Sequence, residues 1–238
     1  MSATDTTAAE PRRLSIRLPH WGWFLLGTVV LVVGYVGLSV WWPWHREQLL
    51  IQKIKSWRGG VTSEAIGPEW LRQAVGERRI NGFKIFNRVI MVGLGRSKVT
   101  DADMANLSEF RSLEDLTLGG TAVTDAGLVR LSELPNLRAL SLDNTAVTNA
   151  GLVYLNGCTN LNRLCLWCTA VSDAGLPYLS GLTNLEYLHL SGTAVTDASI
   201  SHLKKLLNLR VLDLEHTAFT ANGIEELRAA LPDCRIDH

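Results

Sequence analysis

The strongest constraint on the fold of this chain is a 24-residue period that begins at Val89. Aligned on that step, six copies follow one another without an insertion. Their first residues are Val89, Leu113, Leu137, Leu161, Leu185 and Leu209. Repeat positions 1, 4, 6, 11, 16, 19 and 22 are apolar in all six copies. One such unit is too small to bury its own apolar side chains, so the period predicts an array of stacked units with one continuous core.

Within each copy the hydrophobic pattern changes from a strand period to a helix period. Positions 4 and 6 are apolar and alternate with mostly polar positions 3 and 5, which predicts a short strand. Positions 16, 19 and 22 predict the buried stripe of a short helix. Stacking would place the strands side by side in one parallel sheet, with the helices on its other side.

Hydroxyl residues recur at two further positions. Position 12 stands just before the predicted helix, where a hydroxyl can cap the helix N-terminus. It is occupied by Thr100, Thr124, Thr148, Ser172, Thr196 and Thr220. Position 9 follows the strand, where we expect the hydroxyl to satisfy backbone groups as the chain turns away. It is occupied by Ser97, Thr121, Thr145, Thr169, Thr193 and Thr217.

The pattern LxxLxLxxTxVTDxGLxxL resembles the leucine-rich-repeat family. It is most similar to the cysteine-containing type and to the membrane-anchored repeat proteins of planctomycete bacteria. The resemblance covers residues 89–238 and extends to the preceding GPEWLRQAVGE. It implies an α/β solenoid, a horseshoe whose concave parallel sheet binds partners and whose short helices are convex. The family's frequent Asn at position 9 is Ser or Thr here, and no segment resembles an F-box, so a ubiquitin-ligase role has little support. The final LPDCRIDH, with Cys234 and Ile236, is predicted to close the array as a C-terminal cap.

Residues 21–44 carry no charge and are long enough to cross a bilayer as a helix. Tryptophans stand at both ends, which is typical of an aromatic belt. The sequence thus predicts a disordered tail over 1–20 and a transmembrane helix over 21–44. A cleaved signal peptide is the alternative, but Trp41-Trp42-Pro43-Trp44 is a poor cleavage site. Basic residues lie on both sides of the segment, so the positive-inside rule barely discriminates; we expect the repeats outside the cytoplasm.

Residues 45–88 are predicted to be a helical connector and N-terminal cap. Apolar residues recur at helical spacing over His45–Trp57, and Gly59-Gly60 should end that helix. Pro68 suits the first turn of a second short helix over EWLRQAV. A solenoid needs its first repeat shielded from water, which favours a capping role for this region.

Charge and cysteine content exclude some function classes. Lys and Arg number 23 and Asp and Glu number 23, so there is no basic field of the kind that binds nucleic acid. Four cysteines are too few for a disulfide-dense scaffold. Cys158 takes a core position that is leucine in neighbouring repeats, which predicts a buried free thiol.

Positions 3, 5 and 7 are predicted to line the concave face. In the middle of that face Arg163, Trp167 and Tyr187 are of residue types that dominate binding hot spots. Together with His189 and Asp213 they form the predicted partner-binding site. The sequence therefore predicts a membrane-anchored module that binds a protein partner and uses no cofactor. A passive envelope or scaffold component is the alternative.

A catalytic alternative rests on Cys165, His189 and Asp213, which share position 5 in successive repeats. They could align as nucleophile, base and orienting acid, and Cys168 and His216 stand close enough in sequence to suggest metal binding. However, a flat open sheet should offer no pocket and no exclusion of water. We therefore predict neither an enzyme nor a metal site.

Overall fold

The structure, a computed structural model, describes residues 20–65, 73 and 87–238. The chain divides into two compact units, Met1–Trp42 and Pro43–His238. The predicted disordered tail lies outside the described residues, apart from His20. The predicted short helix at EWLRQAV also lies outside them, apart from Gln73, which is helical.

In the described part of the chain, eight strands form one sheet in sequential order. The strands are β1 Gly60–Ala65, β2 Asn87–Gly93, β3 Asp115–Thr117, β4 Ala139–Ser141, β5 Arg163–Cys165, β6 Tyr187–His189, β7 Val211–Asp213 and β8 Arg235–Asp237. From β2 to β8 every pairing is parallel and keeps equal repeat positions opposite one another. The predicted parallel sheet, with its register, is therefore confirmed.

Short helices follow the strands. Over residues 20–65 and 87–238, the α-helices are the long α1 His20–Ser56, which precedes the sheet, and α2 Asp101–Leu107, α3 Asp125–Leu128, α4 Asn149–Leu152, α5 Ile200–Leu203 and α6 Ala221–Ala230. The 3-10 helices are Val129–Glu133, Val153–Gly157, Asp173–Leu179 and Asp197–Ser199. The predicted helical segments are thus present, although several of them take the tighter 3-10 form.

The core lies between the strands and these helices. Every apolar repeat position is buried in every copy except Phe219, which packs against the core from its edge, and Ala230. Cys158 is buried as a free thiol, as predicted, and burial raises its pKa to about 11. Leu231 and Ile236 extend the same core beneath β8.

The position-9 hydroxyls act as predicted in five repeats. Each donates a hydrogen bond to the backbone carbonyl three residues earlier; Thr145, for example, donates to Leu142 at 2.6 Å. In the first repeat the buried Ser97 hydroxyl has no partner among the described residues. The position-12 hydroxyl caps its own helix at Thr124, Thr148, Thr196 and Thr220, whereas Ser172 accepts from the Asn149 amide instead.

A second set of bonds links each repeat to the next, and sequence reasoning did not predict it. The acidic or amide residue at position 13 accepts from the backbone N–H at position 12 of the following repeat. Asp125 accepts from the Thr148 N–H at 2.8 Å and from the Thr148 hydroxyl at 2.6 Å. The corresponding pairs are Asp101–Thr124, Asn149–Ser172, Asp173–Thr196 and Asp197–Thr220. We call this series the position-13 ladder.

Position 8 has a left-handed backbone in all six repeats. Its residues are Arg96, Gly120, Asn144, Cys168, Gly192 and His216, with φ between 51° and 69°. Only two are glycine, so the sequence gives little sign of the conformation, which non-glycine residues adopt at a cost. At each of these turns the backbone leaves the sheet. The backbone N–H of the position-8 residue donates to the carbonyl at position 7 of the next repeat, as in Gly120 to Asp143.

The last turns of α1 cover the first repeat. Ile54 is buried in the core, and Leu50, Ile51 and Trp57 pack against it. Arg46 pairs with Glu109 at 2.8 Å and Lys53 with Asp103 at 3.3 Å. The predicted helix over His45–Trp57 is therefore present as far as Ser56, while its role as a cap stays a prediction.

Part of the connector differs from its predicted helical form. β1 pairs antiparallel with β2 from Gly60↔Gly93 to Ala65↔Asn87. The helix-ending signal at Gly59-Gly60 was recognised, but the strand after it was not. Without β1, β2 would leave its backbone groups at an unpaired sheet edge.

The predicted transmembrane helix, residues 21–44, falls within α1, although many of its side chains lie outside the described part. Within the described ranges, no helix is both long and apolar enough to cross a membrane.

Candidate functional site

The face of the sheet opposite the core carries the side chains at positions 3, 5 and 7, and we call it the open face. In strands β3, β4, β6 and β7 the middle residue is buried and its two neighbours are half-buried. In β5 the residue at position 3, Arg163, is exposed. The open face thus consists of side chains that the core does not require.

The register brings the predicted site residues onto adjacent strands. Arg163 lies opposite Tyr187, and His189 lies opposite Asp213. The Tyr187 and His189 rings lie edge to face with centroids 6.5 Å apart. Trp167 follows β5 and leaves 43% of its surface exposed. The five residues therefore share one face, while their role in binding stays a prediction.

Arg163 differs from the arginines that stand just before β4 and β7. Arg138 lies 3.5 Å from the Glu114 carboxylate, and Arg210 lies 3.4 Å from that of Glu186. No carboxylate of the described residues lies within ion-pairing distance of Arg163. At longer range its charge lowers the pKa of Asp115, against a larger rise caused by burial.

A cavity of about 550 Å³ opens on this face across β3 to β7. Its lining includes Asp115, Ser141, Arg163, Cys165 and Tyr187. The expectation of a flat sheet without a pocket is therefore wrong. Alternation of small side chains at Ala139 and Ser141 with long ones at Arg163 and Tyr187 leaves this depression, and strand spacing alone did not reveal it.

Cys165, His189 and Asp213 are aligned as their shared position predicts. Cys165 lies opposite His189, and His189 Nε2 is 3.1 Å from Asp213 Oδ2. Burial, and then the Asp143 carboxylate, raise the pKa of the Cys165 thiol to about 12. A thiol with such a pKa stays protonated at neutral pH and is a poor nucleophile.

Asp143 joins this group, which sequence reasoning missed. One donor atom from each of Asp143, Cys165 and His189 lies within 4.8 Å of the other two. Asp143 stands at position 7 and the other two at position 5, so a search along one column of the repeat could not find it. A search that also considered diagonal neighbours on adjacent strands could have found Asp143. Cys168 and His216, which the metal alternative considered, stand instead at the left-handed turns and are both exposed.

Comparison with known proteins identifies the repeats. The family described as Leucine Rich repeat matches residues 181–204, a segment one period in length. Together with the six copies and the regular parallel sheet, this match confirms the prediction of leucine-rich repeats. No curated protein matches the chain in sequence.

Similar solved structures include three bacterial repeat proteins. A leucine-rich-repeat protein of Leptospira interrogans is 22% identical with a TM-score of 0.49, covering 63% of this chain and 37% of its own. Internalin C2 of Listeria monocytogenes is 24% identical with a TM-score of 0.47, covering 66% and 75%. A further Listeria monocytogenes internalin is 21% identical with a TM-score of 0.42, covering 57% and 44%. This chain thus spans less than half of the Leptospira chain and of the further internalin chain.

Proposed function

We propose that this chain is a protein-binding module whose partner docks on the open face. The observation that carries the proposal is the Arg163 guanidinium, which is exposed beside the cavity and has no ion pair among the described residues. An arginine fork is suited to bidentate binding of a carboxylate. The partner is therefore expected to present an acidic side chain at the centre of this face.

The aromatic residues around Arg163 supply the apolar part of the same contact. Trp167 is 43% exposed although the core has no need of it there. Tyr187 lines the cavity directly opposite Arg163. Buried Trp, Tyr and Arg side chains dominate the energetics of protein interfaces. His189 and Asp213 lie at the adjacent position and complete the proposed contact surface.

A binding role accounts for these features better than catalysis does. Nucleophilic catalysis would need Cys165 as a thiolate, and its pKa of about 12 opposes that state. The proposal is consistent with the general role of leucine-rich-repeat proteins, which bind other proteins through their repeats.

We further propose that the repeats are tethered to a membrane and lie outside the cytoplasm. Support for the tether comes from the sequence: residues 21–44 are uncharged, and tryptophans stand at both ends. A C-terminal tag in intact cells tests the topology. Protease should digest the tag before lysis, whereas protection until lysis would place the repeats inside. Release of the chain from membranes by salt alone would contradict the tether itself.

Binding is tested with a pair of triple variants. Proteins cross-linked to the wild-type chain in cells are compared with those captured by R163A/W167A/Y187A. The control R130A/Y154A/Y178A likewise removes one arginine and two aromatic side chains, here from exposed helical positions. We expect the open-face variant to lose the partner and the control to keep it. Equal capture by both variants would contradict docking on the open face.

A further inference from the structure

We propose that Asp143, Cys165 and His189 form a binding site for a zinc-class divalent metal ion, with a vacant coordination position directed to solvent. The three residues come from consecutive repeats, and each is only half-buried. This inference does not depend on the proposed partner docking, because it concerns the free chain. It revises the expectation that the chain holds no metal.

The distances suit a metal after a small rearrangement. The three donor atoms lie within 4.8 Å of one another. Bonds of about 2.0–2.3 Å to zinc in a tetrahedral site place donors about 3.3–3.8 Å apart. Side-chain rotations that move the donor atoms by roughly 1 Å bring them to the separation that a tetrahedral site needs. The backbone of the paired strands need not move.

Asp143 is already held in position for this role. Its Oδ2 accepts a hydrogen bond from the Ser141 hydroxyl at 2.9 Å, and its Oδ1 accepts one from the Trp167 N–H at 2.9 Å. Each carboxylate oxygen can accept more than one bond, so a lone pair remains for a cation. Ligands oriented by outer hydrogen bonds are a common property of protein metal sites.

His189 is oriented in the same manner. Its Nε2 lies 3.1 Å from Asp213 Oδ2. Metal-binding imidazoles usually donate their second N–H to a carboxylate, which fixes the ring and leaves the other nitrogen for the metal. In the proposed site Nε2 would keep its contact with Asp213, and Nδ1 would be the nitrogen that binds the metal.

The donor set indicates which ion would bind. Sulfur, imidazole nitrogen and carboxylate oxygen together favour zinc and similar transition metals over magnesium or calcium, which prefer oxygen alone. Coordination would release the Cys165 proton to solvent and form a metal–thiolate bond. Carboxylates at Asp143, Asp115 and Asp213 add negative potential around the site, and Arg163 opposes them in part.

The test uses the purified, untagged full chain, stripped with a chelator. Calorimetric titration with Zn²⁺ should give one ion per chain, and Co²⁺ should produce a sulfur-to-cobalt charge-transfer band in the near ultraviolet. C165S should abolish the band, and H189Q should weaken Zn²⁺ binding at least tenfold. D213N, which only orients His189, should weaken it by about 10–100-fold. C168S is the matched control, because this exposed cysteine lies three residues away and outside the cluster.

Circular dichroism of each metal-free variant verifies the fold. Zinc should also raise the Tm of the wild-type chain and of C168S, and at the same zinc concentration it should raise that of H189Q by less. Absence of Zn²⁺ binding by the wild-type chain would overturn the site. So would a charge-transfer band that survives in C165S, or equal binding by all of these variants.

Discussion

The two sides of the sheet share one backbone register but differ in how their residues vary. On the core side, position 6 is leucine in all six repeats. On the open face, position 5 changes in every repeat, through Gly93, Thr117, Ser141, Cys165, His189 and Asp213. Identical backbone geometry therefore does not impose identical residues. Close packing constrains the core side, whereas the open face is free to carry chemistry.

The hydrogen-bonding positions resemble the core side rather than the open face. The position-13 ladder and the position-9 hydroxyls satisfy buried or half-buried backbone groups in repeat after repeat. A repeated residue thus indicates a structural requirement in this chain, and an unrepeated one indicates a site that stacking leaves open. The predictions that follow test this distinction with pairs of variants.

The largest effect is expected for two neighbours in β6 that point to opposite sides. L188A empties a fully buried position and should lower the free energy of unfolding by about 2–5 kcal/mol. Y187A should lower it by about 1 kcal/mol or less, since the ring lies on the open face. Urea unfolding followed by circular dichroism measures both. If Y187A lost as much stability as L188A, the side chains of the open face would also be needed to stabilise the fold.

Within the position-13 ladder, the charge should matter less than the acceptor oxygen. D125A removes both bonds to Thr148 and should lower the free energy of unfolding by about 2 kcal/mol. D125N should lower it by less than about 1 kcal/mol, because Asn149 already fills the same role against Ser172 through its oxygen and its amide. Thermal unfolding of the two variants provides the measurement. If D125N lost as much stability as D125A, the stabilisation would come from the charge of Asp125 and not from its acceptor oxygens.

At position 9, the cost should depend on whether the hydroxyl has a partner. T145V removes a buried bond to the Leu142 carbonyl and should lower the free energy of unfolding by about 1 kcal/mol. S97A should change it by less than about 0.5 kcal/mol, because the Ser97 hydroxyl has no partner in the described ranges. Urea titration of both variants provides the measurement. A loss in S97A as large as that in T145V would contradict the hydrogen-bond explanation.

Effects as small as those at position 9 are expected at the left-handed turns of position 8. G120A places a Cβ 3.1 Å from the Arg96 side chain at φ +69°, and should lower the free energy of unfolding by about 1 kcal/mol. H216G removes the backbone strain of a non-glycine residue at φ 56°, but glycine also raises the conformational entropy of the unfolded chain. The two effects oppose each other, so the free energy of unfolding should change by no more than about 0.5 kcal/mol. Melting curves test both, and a destabilised H216G would assign a stabilising contact to the His216 ring.

Periodicity was enough to predict the sheet, its register and the buried positions, because each of these recurs with the 24-residue step. Contacts that join one repeat to the next were harder to predict from the sequence. Position 13 could not be recognised within a single repeat, because Asp125 accepts from Thr148 almost a full period later in the chain. β1 escaped prediction because it pairs with β2 outside the periodic region.

The candidate site was predictable only in part, for a related reason. Counting along one repeat position aligned Cys165, His189 and Asp213 correctly. Asp143 stands at another position and approaches them diagonally. The cavity depends on differences in side-chain length between strands, which no single position reveals.

The position-13 ladder gives the array a direction, and this has a consequence for how its length can change. The position-13 oxygen belongs to one repeat and the backbone N–H that it accepts from belongs to the following one, so this bond is the same at every boundary between repeats. Removing or duplicating one whole period would restore every bond across the new junction, while a cut of any other length would not. The sixth repeat carries Ala221 at this position and offers no side-chain acceptor onward. The inner repeats are therefore interchangeable modules, and the gain or loss of a module would move the open-face residues relative to one another without unfolding the array.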